Sequence, residues 1–237
     1  MRKYKILCTI CARGGSKGVK NKNLKFINGT PLITHTIKQA IKSNLFKNII
    51  VSSDSEKIIN IAKKSGADVL FKRPKKLSND SAPKIPVIIH ALKKAEIFYK
   101  TRYDLIIDLD PTSPLRDISD IQKALNIFEK NKANNLITAS KAKKSPYFNM
   151  IEIINNKISI IKKKKYHSIN RRQDSPKVFD MNASIYIWSR KYLLNKPKLI
   201  NSKTALYIMP EERSIDIDSE FDFKITKYIF ENKKLFK

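Results

Sequence analysis

The sequence predicts an α/β fold with a mostly parallel sheet and helices on both faces. A continuous apolar run near the start, Ile6–Cys11, is typical of a strand buried on both sides. Strand-like and helix-like segments then alternate with short connections. A chain of 237 residues with 41% hydrophobic content is long enough for one large domain, expected to span residues 1–237.

The first hundred residues give a β-α-β-α-β order. Thr30 and Pro31 predict a helix start, with Thr30 as N-cap and Pro31 at the first helical position. A second strand is predicted at Asn48–Ser52, followed by a helix at 55–65 that ends before Gly66. A short third strand is predicted at 68–71, before a polar loop that runs to residue 84. The short connections between these elements favour parallel strands.

The rest of the chain continues the alternation with one interruption. We expect helices at 86–100, 118–130 and 219–231, and strands at 103–109, 135–139, 183–188 and 206–209. In the last helix, Ser219 is the expected N-cap, and Phe221, Ile225, Tyr228 and Ile229 are expected to face inward. Between about 142 and 180 the pattern breaks into a hairpin, 148–154 with 157–161, and a basic polar segment. Such an excursion is typical of an arm or a lid.

A loop rich in glycine and cations follows the first strand. Residues 12–23 read ARGGSKGVKNKN and hold three of the five glycines of the chain, together with Arg13, Lys17, Lys20 and Lys22. Glycine allows backbone angles that turn N–H groups inward, and fixed cations complete a nest for an anion. Because α/β folds bind phosphate where a buried strand opens into such a loop, we expect a phosphate site here. The spacing matches neither common glycine-rich phosphate motif, and a solvated Lys/Gly turn is the alternative.

Two carboxylates near the C-terminus suit a metal ion. Asp216 and Asp218 stand two residues apart in an extended segment, so their side chains lie on the same side of it. Such a pair could hold Mg²⁺ through oxygen ligands while substrate phosphates fill other positions. The alternative is a solvated acidic edge or a helix-capping pair.

Charge and cysteine content narrow the class of protein. The net charge of +28 invites a nucleic-acid interpretation, but the lysines are spread along the whole chain, so we expect no nucleic-acid partner. Cys8 and Cys11 point to opposite faces of one strand and are expected to be buried small hydrophobes in a reducing compartment. With no apolar stretch near the roughly 20 residues of a membrane span, we expect no membrane partner and a cytoplasmic protein.

Several segments, in order along most of the chain, resemble one family. ARGGSKG followed by KN, VSSD at 51–54, PTSPLR at 111–116 and SIDIDSEFD at 214–222 closely resemble the acylneuraminate cytidylyltransferases. The resemblance implies a Rossmann-like, three-layer nucleotidyltransferase fold. It also implies transfer of CMP from CTP to a nine-carbon nonulosonic acid, with Mg²⁺ as cofactor. An arm at about 142–180 would cross to a second copy in a homodimer.

The resemblance also assigns roles to individual residues. It implies that the catalytic residues are Arg13, Lys22 and Asp218, and that the metal ligands are Asp216 and Asp218. The implied nucleotide-binding residues are Ala12, Arg13, Gly14, Ser16, Lys17, Lys22, Asn23, Arg73, Asp80 and Ala82. The implied sugar-binding residues are Asp110, Thr112, Ser113, Arg172, Gln173 and Asn182.

Two departures from the family pattern bear on the sugar. Enzymes of this family that act on sialic acid usually have Gln before PTSPLR, where this chain has Asp110, and usually NGAIYI, where it has Asn182-Ala183-Ser184. Both variants resemble the branch that activates legionaminic acid. Lys84 stands where relatives carry Ser, which leaves its role open. The alternatives are the same chemistry on sialic acid or 3-deoxy-manno-octulosonate, and a basic nucleic-acid-binding protein on an inactive nucleotidyltransferase fold.

Overall fold

The computed structural model describes residues 4–16, 18–162 and 171–232. Its strands are β1 (Ile6–Cys11), β2 (Phe26–Ile27), β3 (Thr30–Pro31), β4 (Asn48–Ser52), β5 (Leu105–Leu109), β6 (Asn135–Lys141), β7 (Ile151–Ile154), β8 (Lys157–Ile160), β9 (Phe179–Met181), β10 (Ile185–Ser189) and β11 (Thr204–Ile208). The helices are α1 (Leu32–Ser43), α2 (Glu56–Lys64), α3 (Lys84–Phe98), α4 (Ile118–Lys130), α5 (Arg190–Leu193) and α6 (Glu220–Glu231).

One seven-stranded sheet organises the described residues, in the order β11-β6-β10-β5-β1-β4, with β9 pairing to β6. Strand β1 lies between β5 and β4 and runs parallel to both. Strand β10 runs antiparallel to its two neighbours, β5 and β6, whereas β11 pairs with β6 in parallel. The expected α/β fold with a mostly parallel sheet is therefore confirmed.

The two faces of the sheet carry separate cores, which makes three layers. One core packs α1, α2 and α4 against the sheet through residues such as Ile37, Ile58 and Ile121. The other packs α3 and α5 through residues such as Leu92 and Leu193, and it contains the fully buried Trp188. Cys8 belongs to the first core and Cys11 packs against the second, as expected for two residues three apart on a strand.

A third, smaller cluster joins the two ends of the chain. Val19 from the glycine-rich loop, Ile27, Leu32 and Ile217 are fully buried together, with Phe223 and Phe230 of α6 against them. Because apolar burial stabilises a fold in proportion to the area removed from water, this cluster fixes the C-terminal segment beside the N-terminal loop.

Several predicted boundaries are confirmed. Strand β4 and helix α4 occupy the predicted residues, and α2 is followed by Gly66 in a left-handed conformation with φ +91°. Ser219 caps α6 in a capping box, in which its hydroxyl accepts from the Asp222 N–H and the Asp222 carboxylate accepts from the Ser219 N–H.

The predicted start of α1 is wrong by one or two residues. Thr30 and Pro31 form β3, which pairs with β2 in a hairpin around Asn28 and Gly29. Both turn residues have positive φ, 46° and 68°, as a two-residue Asn-Gly hairpin requires. Helix α1 therefore begins at Leu32, whose N–H donates to the Lys25 carbonyl (2.8 Å), and Thr30 does not act as N-cap.

The third predicted strand is reduced to two isolated bridges. Asp68 bonds in both directions to the edge of β4, through the Ile49 carbonyl and the Val51 N–H, each at 2.9 Å. Lys72 makes the second bridge, to Ser53. The segment thus follows β4 without a continuous ladder of hydrogen bonds.

Two helix predictions also need correction. Helix α3 begins at Lys84 rather than at Pro86, because a proline in the first turn lacks only an N–H that would have no partner within the helix. In α6, Phe221 and Tyr228 are exposed (70% and 56%), and the buried residue is Thr226. The other two residues expected to face inward, Ile225 and Ile229, are half-buried, and so are Phe223 and Phe230, which pack against the third cluster.

The hairpin of the predicted arm is confirmed as β7 and β8. Asn155 and Asn156 form its turn with φ of 50° and 59°. Residues 163–170 of the same segment lie outside the described part of the chain. No helix within the described residues is long and apolar enough to cross a membrane.

Candidate active site

A cavity of about 410 Å³ opens where the carboxyl ends of β1, β4 and β5 meet. Its walls are formed by the loop after β1, the 73–84 loop, the turn after β5 and the segment that carries Asp216 and Asp218. Ligands of open α/β sheets bind at this edge because the loops after neighbouring parallel strands converge there. The cavity is therefore the candidate site.

The loop after β1 is held in place by backbone contacts. The Ala12 N–H donates to the Ser52 carbonyl (3.0 Å), and the Asn23 amide donates to the Arg13 carbonyl (3.2 Å). The Ser16 hydroxyl donates to the Val19 carbonyl. These bonds close the loop on itself and on β4.

Two glycines of this loop, Gly14 and Gly18, permit close approach rather than unusual backbone angles. The glycines with positive φ among the described residues are Gly29 and Gly66, outside this loop. A Cβ on Gly14 would lie 2.9 Å from the Ser55 Cβ, and the Gly14 N–H donates to the Asp54 carboxylate (2.9 Å). The special backbone angles expected of the glycines in this loop are therefore not found at Gly14, Gly15 or Gly18.

Two arginines expected at the nucleotide contribute to the cavity wall. Arg13 forms an ion pair with Asp80, which connects the loop after β1 to the 73–84 loop. Arg73 is 6% exposed, and its guanidinium donates to the Ser52 hydroxyl (3.0 Å) and carbonyl. Arg73 therefore holds its own loop against the end of β4.

The C-terminal carboxylates meet the N-terminal loop, as expected. The Lys22 ammonium lies 3.2 Å from Asp218 Oδ1 and donates to the Ile217 carbonyl. The Asp218 side chain is 79% exposed on the cavity side, whereas Ile217 is fully buried in the third cluster. Burial of Ile217 places Asp216 and Asp218 on the opposite side of the segment, facing the cavity.

Asp216 has an unusual electrostatic environment. Burial raises its pKa to about 6, and the nearby negative charge of Asp110 contributes to this rise. Asp216 Oδ1 is buried without a hydrogen-bond partner within the described protein. An orphaned carboxylate oxygen of this kind fits a cation ligand.

Lys84 and Asp110 line the cavity, and the fully buried Asp108 lies behind them. The Lys84 ammonium lies 2.6 Å from Asp110 Oδ2 and 3.0 Å from Asp108 Oδ2. Thr112 donates to Asp110 Oδ1 through its N–H (3.0 Å) and its hydroxyl (2.8 Å). Burial alone would raise the pKa of Asp110, but the charge of Lys84 and the hydrogen bonds outweigh burial, so that this pKa is lowered.

The structure brings most of the expected residues together. The cavity is lined by Arg13, Ser16, Lys22, Asn23, Arg73, Asp80, Ala82, Asp110, Thr112, Asp216 and Asp218. Lys17 and the side chain of Arg172 lie outside the described part of the chain.

Five expected residues are not among those that line the cavity. Ala12 is buried beneath the loop, and Gly14 contacts Asp54 and Ser55. The buried Asn182 accepts from the Thr138 hydroxyl (2.7 Å), and the buried Ser113 hydroxyl donates to the Asn182 carbonyl (3.5 Å). Gln173 lines a second cavity at the base of the arm.

Sequence reasoning left Lys84 without a role and did not single out Asp108 for the site. A signal was available, because Lys84 begins α3, and a cation at a helix N-terminus opposes the helix dipole. Such a lysine needs carboxylates nearby, and the strand that follows α3 in the chain, β5, ends at Leu109 between the two aspartates.

Comparison with solved structures defines the fold class. The chain resembles a CMP:2-keto-3-deoxy-manno-octonic acid synthetase complexed with CTP, with a TM-score of 0.68, 16% identity and coverage of 97% of this chain and 99% of that one. At this identity the likeness shows the fold alone, which is a Rossmann-like α/β fold.

Sequence comparison defines the family. A cytidylyltransferase family model matches residues 7–235. The chain is 49% identical, over 97% of both chains, to the CMP-N,N'-diacetyllegionaminic acid synthase of Campylobacter jejuni subsp. jejuni serotype O:2. It is 32% identical to the N-acylneuraminate cytidylyltransferase of Streptococcus agalactiae serotype V, over 92% of this chain and 52% of that protein. The chain belongs to the cytidylyltransferase family and is a nucleotidyltransferase enzyme.

Proposed function

We propose that this enzyme transfers CMP from CTP to a nine-carbon nonulosonic acid, N,N'-diacetyllegionaminic acid, and releases pyrophosphate. The observation that carries the choice of acid is the gap between 49% identity to a synthase named for that product and 32% to a sialic acid enzyme. The Asp110 carboxylate, which lines the cavity, supports a sugar pocket unlike one built on glutamine.

The nucleotide would occupy the side of the cavity formed by the loop after β1 and the 73–84 loop. Arg13 and Lys22 line this side, and we assign them, with Lys17, to the triphosphate. Fixed cations stabilise the charge that develops on a transferring phosphoryl group and on its leaving group. Arg73, Asp80 and Ala82 would border the base and ribose.

Asp216 and Asp218 are the residues that would hold Mg²⁺. The orphaned Oδ1 of Asp216 and the exposed carboxylate of Asp218 supply the oxygen ligands that Mg²⁺ prefers. Within the described residues no three His, Cys, Asp or Glu side chains cluster as a complete metal site. Two carboxylates fit Mg²⁺ all the same, because it takes its remaining ligands from substrate phosphates and water. When bound, the ion would neutralise phosphate charge.

The acid would lie against Asp110 and Thr112. The buried Ser113 and Asn182 would support this wall from behind, because their side chains bond within the protein. By resemblance, Arg172 would pair with the sugar carboxylate, for which a guanidinium is suited, and Gln173 would contribute from the arm.

The reaction that these groups serve is a direct displacement. The anomeric hydroxyl oxygen of the acid forms a bond to the α-phosphorus of CTP, and its proton passes to water. The bond between the α-phosphorus and the bridging oxygen to the β-phosphate breaks, and pyrophosphate leaves with the electron pair. Arg13 and Lys22 would stabilise the charge that moves onto these oxygens.

The arm would hold two copies together as a homodimer. Cross-strand pairs Ile151–Ile160 and Ile153–Ile158 build one apolar face of the hairpin. Ile153 and Ile158 are each 69% exposed in the single chain. An exposed apolar face of this kind marks a protein interface, and we assign it to a second copy.

The cysteines bear on the cellular compartment. The free thiols of Cys8 and Cys11 suit the reducing cytoplasm, where we place the enzyme.

Pyrophosphate release from CTP tests the function. The full chain is incubated with CTP and, in separate reactions, N,N'-diacetyllegionaminic, N-acetylneuraminic, pseudaminic or 3-deoxy-manno-octulosonic acid, with and without Mg²⁺. We expect release only with Mg²⁺, and the highest kcat/KM with N,N'-diacetyllegionaminic acid. A higher kcat/KM with another acid would overturn the choice of substrate. Tight RNA binding, together with no pyrophosphate release from CTP in the presence of any of these acids, would favour an inactive nucleic-acid-binding protein.

A further inference from the structure

Lys84 connects the two walls of the cavity. It is the first residue of α3, directly after the loop that carries Arg73 and Asp80, and its ammonium reaches across to the end of β5. The side chain is 26% exposed and lines the cavity. Its ammonium also lies 5.0 Å from the centre of the Tyr186 ring. Lys84 is therefore held by three neighbouring side chains, Asp108, Asp110 and Tyr186.

The two carboxylates that it contacts have different surroundings. Asp108 is fully buried, and its Oδ1 accepts from the Thr9 hydroxyl (2.6 Å) and from the Cys11 thiol (3.4 Å). Asp110 faces the cavity with 18% of its side chain exposed. Lys84 thus compensates one buried charge and orients one that a ligand can reach.

Lys84 fixes the orientation of the Asp110 carboxylate and its role as a hydrogen-bond acceptor toward a ligand. Oδ1 of Asp110 accepts from Thr112 and Oδ2 accepts from Lys84, so the carboxylate plane is held at both oxygens. A carboxylate held ionised in this way accepts hydrogen bonds and donates none. A ligand group that meets it must therefore be a donor, such as a hydroxyl or an amide N–H.

We propose that Lys84 is a positioning residue that sets selectivity for the acid substrate by orienting Asp110 as a fixed acceptor. This inference rests on the proposed function, which places the acid against Asp110. Acids that present a hydroxyl or acylamino N–H to this carboxylate gain a charge-assisted hydrogen bond, and acids that present an acceptor there meet an unpaired charge. Without Lys84 the carboxylate can rotate or bind a proton, and the difference between the two kinds of acid shrinks.

The test uses Lys84→Met, which keeps the length of the side chain and removes its charge. We expect the KM for N,N'-diacetyllegionaminic acid to rise about tenfold, as for loss of one charge-assisted hydrogen bond. The ratio of kcat/KM between that acid and N-acetylneuraminic acid falls, while the KM for CTP changes by less than about twofold. Lys84→Arg, which keeps the charge, retains most of the ratio. Lys93→Met, on the exposed face of the same helix, is the matched control and behaves as the wild type.

A double variant distinguishes the effect of Lys84 on Asp108 from its effect on Asp110. Lys84→Met leaves the buried Asp108 without its cation, which could affect folding. In Lys84→Met/Asp108→Asn that buried charge is removed, and the amide oxygen introduced at position 108 can still accept from Thr9. If Lys84 acts through Asp110, the double variant folds with a melting temperature near the wild type and its selectivity stays low.

Three results would overturn the proposal. One is recovery of the wild-type selectivity in the double variant, which would limit Lys84 to balancing Asp108. The second is an unchanged ratio in Lys84→Met, and the third is an equal rise in the KM for CTP. Failure of the proposed function would look different, because the wild type itself would then release no pyrophosphate with these acids.

Discussion

Gly18 and Asp218 lie in backbone contact although they are far apart in the sequence. A Cβ built on Gly18 would lie 1.9 Å from the Asp218 carbonyl oxygen and 3.1 Å from its carbonyl carbon. No side chain fits at such a distance, so the N-terminal loop reaches the C-terminal segment because residue 18 is glycine. The same approach brings Lys22 to within 3.2 Å of the Asp218 carboxylate.

Replacement of Gly18 by alanine is expected to separate the two halves of the site. Because the clash is with backbone, the loop or the C-terminal segment must move by about an ångström or more, and misplacement of this size lowers kcat/KM about 100-fold. Steady-state pyrophosphate release with CTP and the acid measures the effect. The comparison is Gly15→Ala, where a Cβ meets nothing within 4 Å, and where we expect a much smaller loss. Equal losses in both variants would contradict this account of Gly18.

Replacement of Asp216 by asparagine tests the proposed metal ligand. We expect turnover to fall about 100-fold or more, because phosphate charge would lose its compensation in the transition state. Binding of Mn²⁺ in the presence of CTP, followed by electron paramagnetic resonance, should weaken in parallel. Glu220→Gln is the matched control, since Glu220 is an exposed partner of Lys25 at the start of α6. Unchanged turnover and unchanged Mn²⁺ affinity in the Asp216 variant would remove it from the metal site.

The ion pair between Glu96 and Arg190 is expected to make stability depend on pH. Burial raises the pKa of Glu96, but hydrogen bonds from Arg190 (2.6 and 2.9 Å) and from the Tyr103 N–H outweigh it, and the net pKa is lowered. A lowered pKa in the folded state stabilises the fold above the unfolded pKa of about 4.3, and the contribution disappears as pH falls through the folded pKa.

Urea unfolding of wild type and Glu96→Gln at several pH values measures this contribution. At pH 7 we expect the variant to be less stable by about 2 kcal/mol, the usual contribution of hydrogen bonds to a charged group. The difference should narrow as the pH falls below about 4. Glu56→Gln removes an exposed pair with Lys72 and should change the free energy of unfolding by less than about 0.5 kcal/mol at every pH. A gap that is constant with pH would contradict the ion-pair explanation.

Local patterns were enough to predict elements whose neighbours in the chain decide their structure. The apolar run of β1, the strand β4 and the helix α4 follow from periodicity and capping residues. The direction of β10 does not, because the pattern of buried residues in a strand is the same in parallel and antiparallel pairing. The Asn28-Gly29 hairpin had a local signal, which the adjacent Thr-Pro pair obscured.

The choice of buried face in α6 depends on contacts far away in the sequence. Phe223 and Phe230 are partly buried because they pack against the cluster that contains Val19 and Ile217, at distant positions in the chain. For the site, the motifs predicted which loops meet at the cavity, but they did not predict which residues of each motif face it. Arg116 closes the PTSPLR motif and is 2% exposed, with hydrogen bonds to the Ser184 carbonyl (2.6 Å) and to Gln39 (3.1 Å).

Placing lysines on the apolar face of the arm hairpin tests the proposed homodimer. Ile153 and Ile158 are a cross-strand pair, each 69% exposed, so Ile153→Lys/Ile158→Lys should leave the folded single chain intact while charging the proposed interface. We expect the mass by analytical ultracentrifugation to fall from that of two chains to that of one, because buried unpaired ammonium groups oppose association. Ile97→Lys is the control, since Ile97 is 74% exposed on α3, away from the arm, and its variant should remain dimeric. A dimer that persists in the double variant would show that the two copies associate through another surface.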